Sequence, residues 1–426
     1  MHRPTRYPVA PFEKLAIVLV LGAACAAASS RSAASDLPEG MLVGPWILAP
    51  SLTSGFAYDT NVFLASSTST SSGTISDRVL RVTPGLVAAL PFRESLLKLD
   101  YSVTRLDYGK TPLERNLSRD AGIDLALNFS TQDRLSLRAN RNLGVAETLA
   151  FDPGGEVVFR GQGFDLTTYE IEAAREVFGH RGYRVRLSRE ALSFDPGTTV
   201  AFFEFRGIDA EVDYREPLSP RFWAVGDYEG RRYDHFLADE PTGSHEPFRK
   251  EDSDVVRVGL QGQLGEREPF LVRVGWGRFR FPGSEGSEYR GIVADASLVI
   301  RSGGRTELEL GLQRRPWPSF FLNNNYYLVN SANLRLSRRW LQYSTMGIEG
   351  WWQEATYGDP VPMNVPQQPG LTRVDRTLRA SVYANLMIRE RLGVRISVDE
   401  NHRNSNYLGA GFEGRVYFAG IVLGWI

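Results

Sequence analysis

Ala121-Gly-Ile-Asp-Leu-Ala-Leu-Asn-Phe129 decides the fold class. Ala121, Ile123, Leu125, Leu127 and Phe129 share one parity, while Asp124 and Asn128 hold the other. Successive side chains on a strand point to opposite faces, so this segment has one apolar face and one polar face. Outward from it the same two-residue period recurs. Upstream, Leu97, Leu99, Tyr101 and Val103 oppose Lys98, Asp100, Ser102 and Thr104. Downstream, Leu308, Leu310 and Leu312 oppose Glu307, Glu309 and Gln313. Leu378, Ala380, Val382, Ala384, Leu386 and Ile388 oppose Arg379, Ser381, Tyr383 and Asn385, and Leu392, Val394, Ile396 and Val398 oppose Arg395, Ser397 and Asp399. No stretch beyond the leader shows a helical period. The chain reads as all-β.

Turn spacing selects a barrel over a sandwich. Short polar connections fall at Pro91–Glu94, Ser130–Asp133, Phe178–Gly182, Arg215–Pro220, Gly265–Glu268, Arg301–Gly304, Arg338-Arg339 and Arg389–Arg391. Between them lie longer, irregular connections: the Ser/Thr tract after Phe63, the Pro153-Gly-Gly155 region, residues 236–251, Trp317–Asn325 and Asp359–Gly370. One end is trimmed and the other elaborated, as in transmembrane antiparallel up-and-down β-barrels with short periplasmic turns and long extracellular loops. About eighteen strands are expected, sixteen if one hairpin is misplaced. They fall near residues 45–58, 78–91, 94–108, 117–129, 134–147, 163–178, 182–195, 203–216, 220–235, 252–264, 268–281, 288–301, 304–315, 325–338, 340–356, 371–388, 391–404 and 409–425. An even count returns both termini to the short-turn side. In lipid every backbone N–H and C=O must be paired within the protein, and a closed sheet does this without an edge. Aromatics gather near strand ends as interfacial girdles would. Phe92, Tyr183, Tyr214, Trp223 and Trp340 lie on the short-turn side, and Tyr58, Tyr108, Phe281, Tyr326, Trp351, Trp352 and Tyr407 on the other.

The N-terminus reads as an address. His2, Arg3, Arg6 and Lys14 precede the apolar run Leu15–Cys25, and small residues follow. That is the layout of a secretory signal peptide over residues 1–34, leaving residues 35–426 as one outer-membrane barrel. Its apolar run is about half of the roughly 20 residues a spanning helix needs. Its removal takes four basic groups and one acidic group, moving the net charge from −1 to about −4. Cys25 is the one cysteine, so disulfides and multi-cysteine metal sites are excluded. The near-balance of 49 Lys+Arg against 50 Asp+Glu excludes a nucleic-acid partner, which would call for a basic excess.

The first strand ends Tyr58-Asp-Thr-Asn-Val-Phe63. This Tyr-Asp-x-Asn-Val-Phe signature, carried by Tyr58, Asp59, Asn61, Val62 and Phe63, resembles the outer-membrane β-barrel porins associated with bacterial exopolysaccharide operons. The resemblance implies a wide barrel serving polysaccharide export or a related transport task. Its partners would be outer-membrane lipid, polysaccharide or small anionic solutes, and envelope export machinery. The C-terminus departs from the usual aromatic end, with Trp425 one place before Ile426.

If the polar parity faces inward, the wall carries Arg138, Arg184, Arg186, Arg257, Arg273, Arg335, Arg379, Arg395 and Arg415. Acidic partners are Asp124, Glu170, Glu172, Asp209, Glu211, Asp213, Glu307 and Glu309. Two roles are open to them: cross-strand ion pairs that stabilise a sheet face, or an Arg-lined path selecting anionic solutes. Eighteen strands would enclose a water-wide cavity, narrowed by a connection folding inward; residues 236–251 and 357–370 are candidates. No cofactor, metal or catalytic residue is expected. His180, His235, His245 and His402 lie in or beside turns, with no metal spacing and no nucleophile elbow. Two further readings remain: a structural or docking barrel of an export system, and an outer-membrane hydrolase using His235 or His402.

Overall fold

The computed structural model describes residues 37–62, 64, 74–110, 117–145, 163–177, 181–195, 203–237, 249–265, 268–282, 288–319, 324–341, 343–358 and 370–424. The expected leader and the connections at 153–155 and 359–369 lie outside the described residues, as do most of 236–251, and so do Phe63, His180, His245 and Trp425. A three-residue strand β1 (Met41–Val43) folds back on the start of β2 (Trp46–Asp59). This hairpin was not anticipated from the sequence. Then follow β3 (Asp77–Phe92), β4 (Ser95–Tyr108), β5 (Leu117–Asn128), β6 (Asp133–Gly144), β7 (Phe164–Val177), β8 (Arg181–Phe194) and β9 (Phe203–Ser219). The second half contains β10 (Phe222–Leu237), β11 (Arg249–Gln263), β12 (Pro269–Arg280), β13 (Tyr289–Ser302) and β14 (Thr306–Pro318). It finishes with β15 (Tyr326–Arg339), β16 (Thr345–Tyr357), β17 (Val374–Arg389), β18 (Leu392–Ser405) and β19 (Phe412–Gly424).

Each strand from β2 to β19 pairs antiparallel with the next, and β19 pairs with β2 from Val416↔Asp59 to Gly424↔Ser51. Among the described residues this is a closed barrel of eighteen strands. No helix in them is long and apolar enough to cross a membrane, which leaves crossing by strands untouched. The short turns follow simple rules. Gly303 and Gly304 both have positive φ, 58° and 64°, between β13 and β14. The turn closed by the Arg305 N–H donating to the Ser302 carbonyl at 3.2 Å has that conformation at both central residues, which glycine adopts without cost.

The apolar parity faces out. Ile208 and Val258 are 60% exposed, and Val256, Val272, Val274, Trp276 and Ile292 are also exposed, all on the convex face. In a water-soluble sheet these side chains would be buried; here about 25 cal/mol per Å² favours covering them with something apolar. The opposite parity turns inward and holds most of the charge.

The girdle expected from aromatic positions holds only in part. Tyr58, Tyr183, Tyr214, Trp340 and Trp352 are exposed, but Phe281 is buried and its ring stacks on Tyr326 at 5.8 Å. Trp351 sits on the inward parity beneath Arg379, 4.9 Å from ring centroid to guanidinium carbon, and Trp223 shares the inward parity of Asp227. Position near a strand end does not fix the face; parity does.

Candidate functional site

The inner wall from β8 to β14 carries a dense belt of charge at mid-height. Its origin is the β9–β10 hairpin register. Glu211 stands opposite Glu229 and Asp213 opposite Asp227, so two rungs place like charges side by side, an arrangement that destabilises a sheet unless cations cover it. Arginines from both sides do so. From β8, Arg184 reaches Asp213 at 2.8 Å and Arg186 pairs with Glu211. Arg257 on β11 lies 2.7 Å from Asp227, 3.1 Å from Glu229 and 3.6 Å from Glu211. Arg273 on β12 reaches Asp227 at 3.1 Å and Asp295 of β13 at 3.0 Å. Arg231 binds Asp209 at 3.1 Å. Arg315, from β14, pairs with Glu229 of β10.

That last pair fixes the shape of the wall. Strands lie about 4.8 Å apart, so four steps along a flat sheet would separate β10 from β14 by ~19 Å. Backbones of β11 and β13, two steps apart, approach within 8 Å, closer than the ~9.6 Å of a flat sheet. The wall therefore bends here, and the two long side chains span the rest. Gly259 and Gly275 allow the bend: a Cβ on either would sit 2.0 Å from the Val272 carbonyl oxygen or 1.9 Å from that of Val256. Above the belt, Val255, Phe279, Phe281, Tyr289 and Val293 form an apolar cluster on the inner face. Beside it Arg249 of β11 donates to the carbonyl oxygen of Asn324 at 2.6 Å, holding that residue, just before β15, to the inner face. The side chains on this part of the inner wall pack and pair with one another.

Of the remaining expected wall residues all but Arg415 face inward, and only Glu172 reaches the belt. Arg138 bridges Asp124 and Glu170, at 3.4 and 2.9 Å. Glu172 lies 3.7 Å from Arg184. Glu307 binds Arg301 at 2.6 Å, Glu309 faces Arg335 in register, and Arg335 pairs with Glu349 at 3.2 Å. Arg379 lies over Trp351, and Arg395 lies 5.8 Å from the Tyr383 ring centroid. Arg415 is a correction. Tyr417, Ile421 and Leu423 on its parity are exposed on the outer face, and Arg415 pairs there with Glu400 at 3.0 Å. Asp227, Glu229, Arg231, Asp295 and Arg315 were missed by sequence reading: Arg315 shares the inward parity of Glu307 and Glu309 on β14, but no wall residue was singled out on β10 or β13. What the sequence lacked was the register that sets them against one another.

The Tyr58–Val62 signature closes the barrel. The Asp59 carboxylate accepts from the Asn61 backbone N–H at 2.9 Å, and the Asn61 side-chain amide donates to the Glu413 carbonyl at 2.8 Å. The Thr60 N–H donates to the Arg415 carbonyl at 2.9 Å, and the hydroxyl of Thr60 accepts from the Arg415 N–H at 2.8 Å. Val62 is fully buried and Tyr58 is exposed.

The two described histidines of interest lie on opposite faces. His235 is buried on the inner side, 3.6 Å from Glu251. His402, in register with Leu378 and Glu413, is exposed. Among the described residues no group of three or more His, Cys, Asp or Glu side chains could hold a metal ion.

No family model and no curated protein matches this sequence. Among solved structures the chain is similar to a BenF-like porin from Pseudomonas fluorescens Pf-5, with 10% identity over 88% of this chain and 98% of that one, TM-score 0.48. It is also similar to outer membrane protein OpdK of Pseudomonas aeruginosa, with 11% identity over 89% and 98%, TM-score 0.46. The FrpB iron transporter of Neisseria meningitidis gives 9% identity over 88% of this chain, TM-score 0.46, and the chain spans only 64% of its length. These are likenesses of barrel shape and assign no solute.

Proposed function

We propose that the chain is an outer-membrane, porin-like channel, delivered by a cleaved leader at residues 1–34. The observation that carries this reading is the closed sheet that turns Val256, Val258 and Trp276 outward while turning Asp227, Glu229 and Arg257 inward. Lipid satisfies the first face, and the charged interior has no place in a bilayer. Because the belt on β8–β14 is paired and packed, solute passes along the opposite inner wall. There, among the described residues, Arg81 of β3 and Arg395 of β18 have no carboxylate within ion-pair distance, and between them lie Gly55 and Gly420. Two uncompensated guanidiniums along a passage favour small anions. A task in polysaccharide traffic rests on the Tyr58–Phe63 signature alone.

The test is stepwise conductance in planar bilayers, with reversal potentials across a salt gradient. Wild-type protein is expected to conduct with anion preference, and Arg81→Gln/Arg395→Gln to lose that preference while staying folded. A folded, silent barrel would overturn the channel reading.

A further inference from the structure

Near the loop end of strand after strand, the outward parity changes from aliphatic to arginine. On β3, β8 and β9 the arginine occupies the next outward position beyond an aliphatic one: Arg78 beyond Leu80, Arg189 beyond Leu187, Arg206 beyond Ile208. On β5, Arg119 stands two outward positions beyond Ile123. One outward step is about 7 Å along the strand, so these guanidiniums sit at the upper border of the apolar band. Other outward arginines are held by a neighbour: on the same arc Arg105 pairs with Asp107 at 2.9 Å and Arg141 with Asp165 at 2.7 Å, and on β14 Arg314 donates to the Asn330 side-chain oxygen at 2.6 Å. Arg280 pairs with Asp254 at 3.0 Å, Arg290 with Glu288 at 2.6 Å, Arg376 with Glu354 at 2.8 Å, and Arg278 with Glu288. Arg78, Arg119, Arg189 and Arg206 differ: among the described residues none has a carboxylate within ion-pair distance. Arg206 faces Asp234 in register but forms no ion pair with it, its guanidinium lying 5.9 Å from the Phe236 ring centroid. All four lie on the arc from β3 to β9.

We propose that this outward arc binds the phosphate groups of an outer-leaflet glycolipid. The inference rests on the membrane-barrel reading above. An arginine at the border of the hydrocarbon, facing lipid, needs an anion at that depth, and guanidinium forks match phosphate oxygens bidentately. A phosphorylated glycolipid supplies both parts of the surface at once, acyl chains against Leu187 and Ile208 and phosphate against Arg189 and Arg206. A soluble anion would fill only the second.

The experiment reconstitutes the full chain in vesicles with or without bis-phosphorylated lipid A, then measures lipid retained through detergent extraction by native mass spectrometry. Wild-type protein is expected to retain lipid A, and to retain its dephosphorylated form roughly tenfold less. Arg78→Gln/Arg119→Gln/Arg189→Gln/Arg206→Gln should lose retention to a similar extent. Arg278→Gln/Arg280→Gln/Arg290→Gln/Arg376→Gln, on the paired arc, should retain it. Equal retention of both lipid forms by the wild type overturns the proposal without reference to any variant, and so does an unaffected first variant. Displacement of lipid A by inorganic phosphate alone would make the arc a general anion site and overturn the assignment to lipid. Failure of the wild type to insert and show heat-dependent gel mobility would remove the membrane reading itself, and this proposal with it.

Discussion

Glu229 concentrates the problem of charge in a confined wall. It is 3% exposed, stands opposite Glu211, and is held by Arg315, Arg257 and Arg231. Removing one partner of such a buried set leaves the other charges uncompensated, which costs about 3–5 kcal/mol. Glu229→Gln is therefore expected to lower the urea midpoint of the vesicle-embedded barrel strongly. Glu229→Gln/Arg315→Gln should cost less than the sum of the two single variants, with a coupling of about 0.5–3 kcal/mol; strict additivity would show that Arg315 does not act through Glu229. Asn61 is a milder case. Its side chain donates one hydrogen bond to the Glu413 carbonyl across the β19–β2 seam, so Asn61→Ala should cost about 1 kcal/mol by the same measurement.

Gly275 shows how an element can depend on a side chain it lacks. A Cβ there would lie 1.9 Å from the Val256 carbonyl oxygen and 2.6 Å from the Arg257 Cα, both backbone atoms that cannot swing away. Gly275→Val must push β11 and β12 apart, unbending the wall that lets Arg315 meet Glu229. A loss of about 1–3 kcal/mol is expected, as for other overpacked sites, together with weakened Glu229–Arg315 coupling in a double-mutant cycle. The same bend marks where sequence reading ran out. Alternation in segments such as Ala121–Phe129 disclosed the strands, their number and the inward parity of Arg184, Arg257 and Asp209, because a period of two is a local property. The belt is not local. It depends on which rung of β10 faces which rung of β9, and on curvature carried by two glycines that look like any others in the chain. Arg415 departs for a related reason: counted with the polar parity it belongs inside, whereas the exposed Tyr417 and Ile421 on its parity put it outside. Charged residues beyond the apolar band can face either way.

At the scale of the whole molecule, one surface decides between a bilayer and water. Val258 lies within the outward apolar run Val256–Leu260 of β11, exposed, in register with the exposed Val274. If the barrel spans lipid, Val258→Arg puts a guanidinium inside the hydrocarbon, which costs a transmembrane barrel about 2–4 kcal/mol near the midplane. Asn333 of β15 provides the contrast. It is also exposed but has inward parity, since its neighbour Leu334 is exposed on the outer face. Asn333→Arg should therefore cost under about 1 kcal/mol, because lumenal substitutions meet water and leave insertion intact. Folding of both variants into vesicles, followed by urea titration of heat-dependent gel mobility, separates the two faces with the same residue type introduced. A soluble barrel would reverse the order of sensitivity or erase it: arginine on a water-exposed convex face would be harmless, and the inner position would bear the cost. Equal tolerance at both positions would count against lipid contact on the convex face, whatever the topology of the sheet.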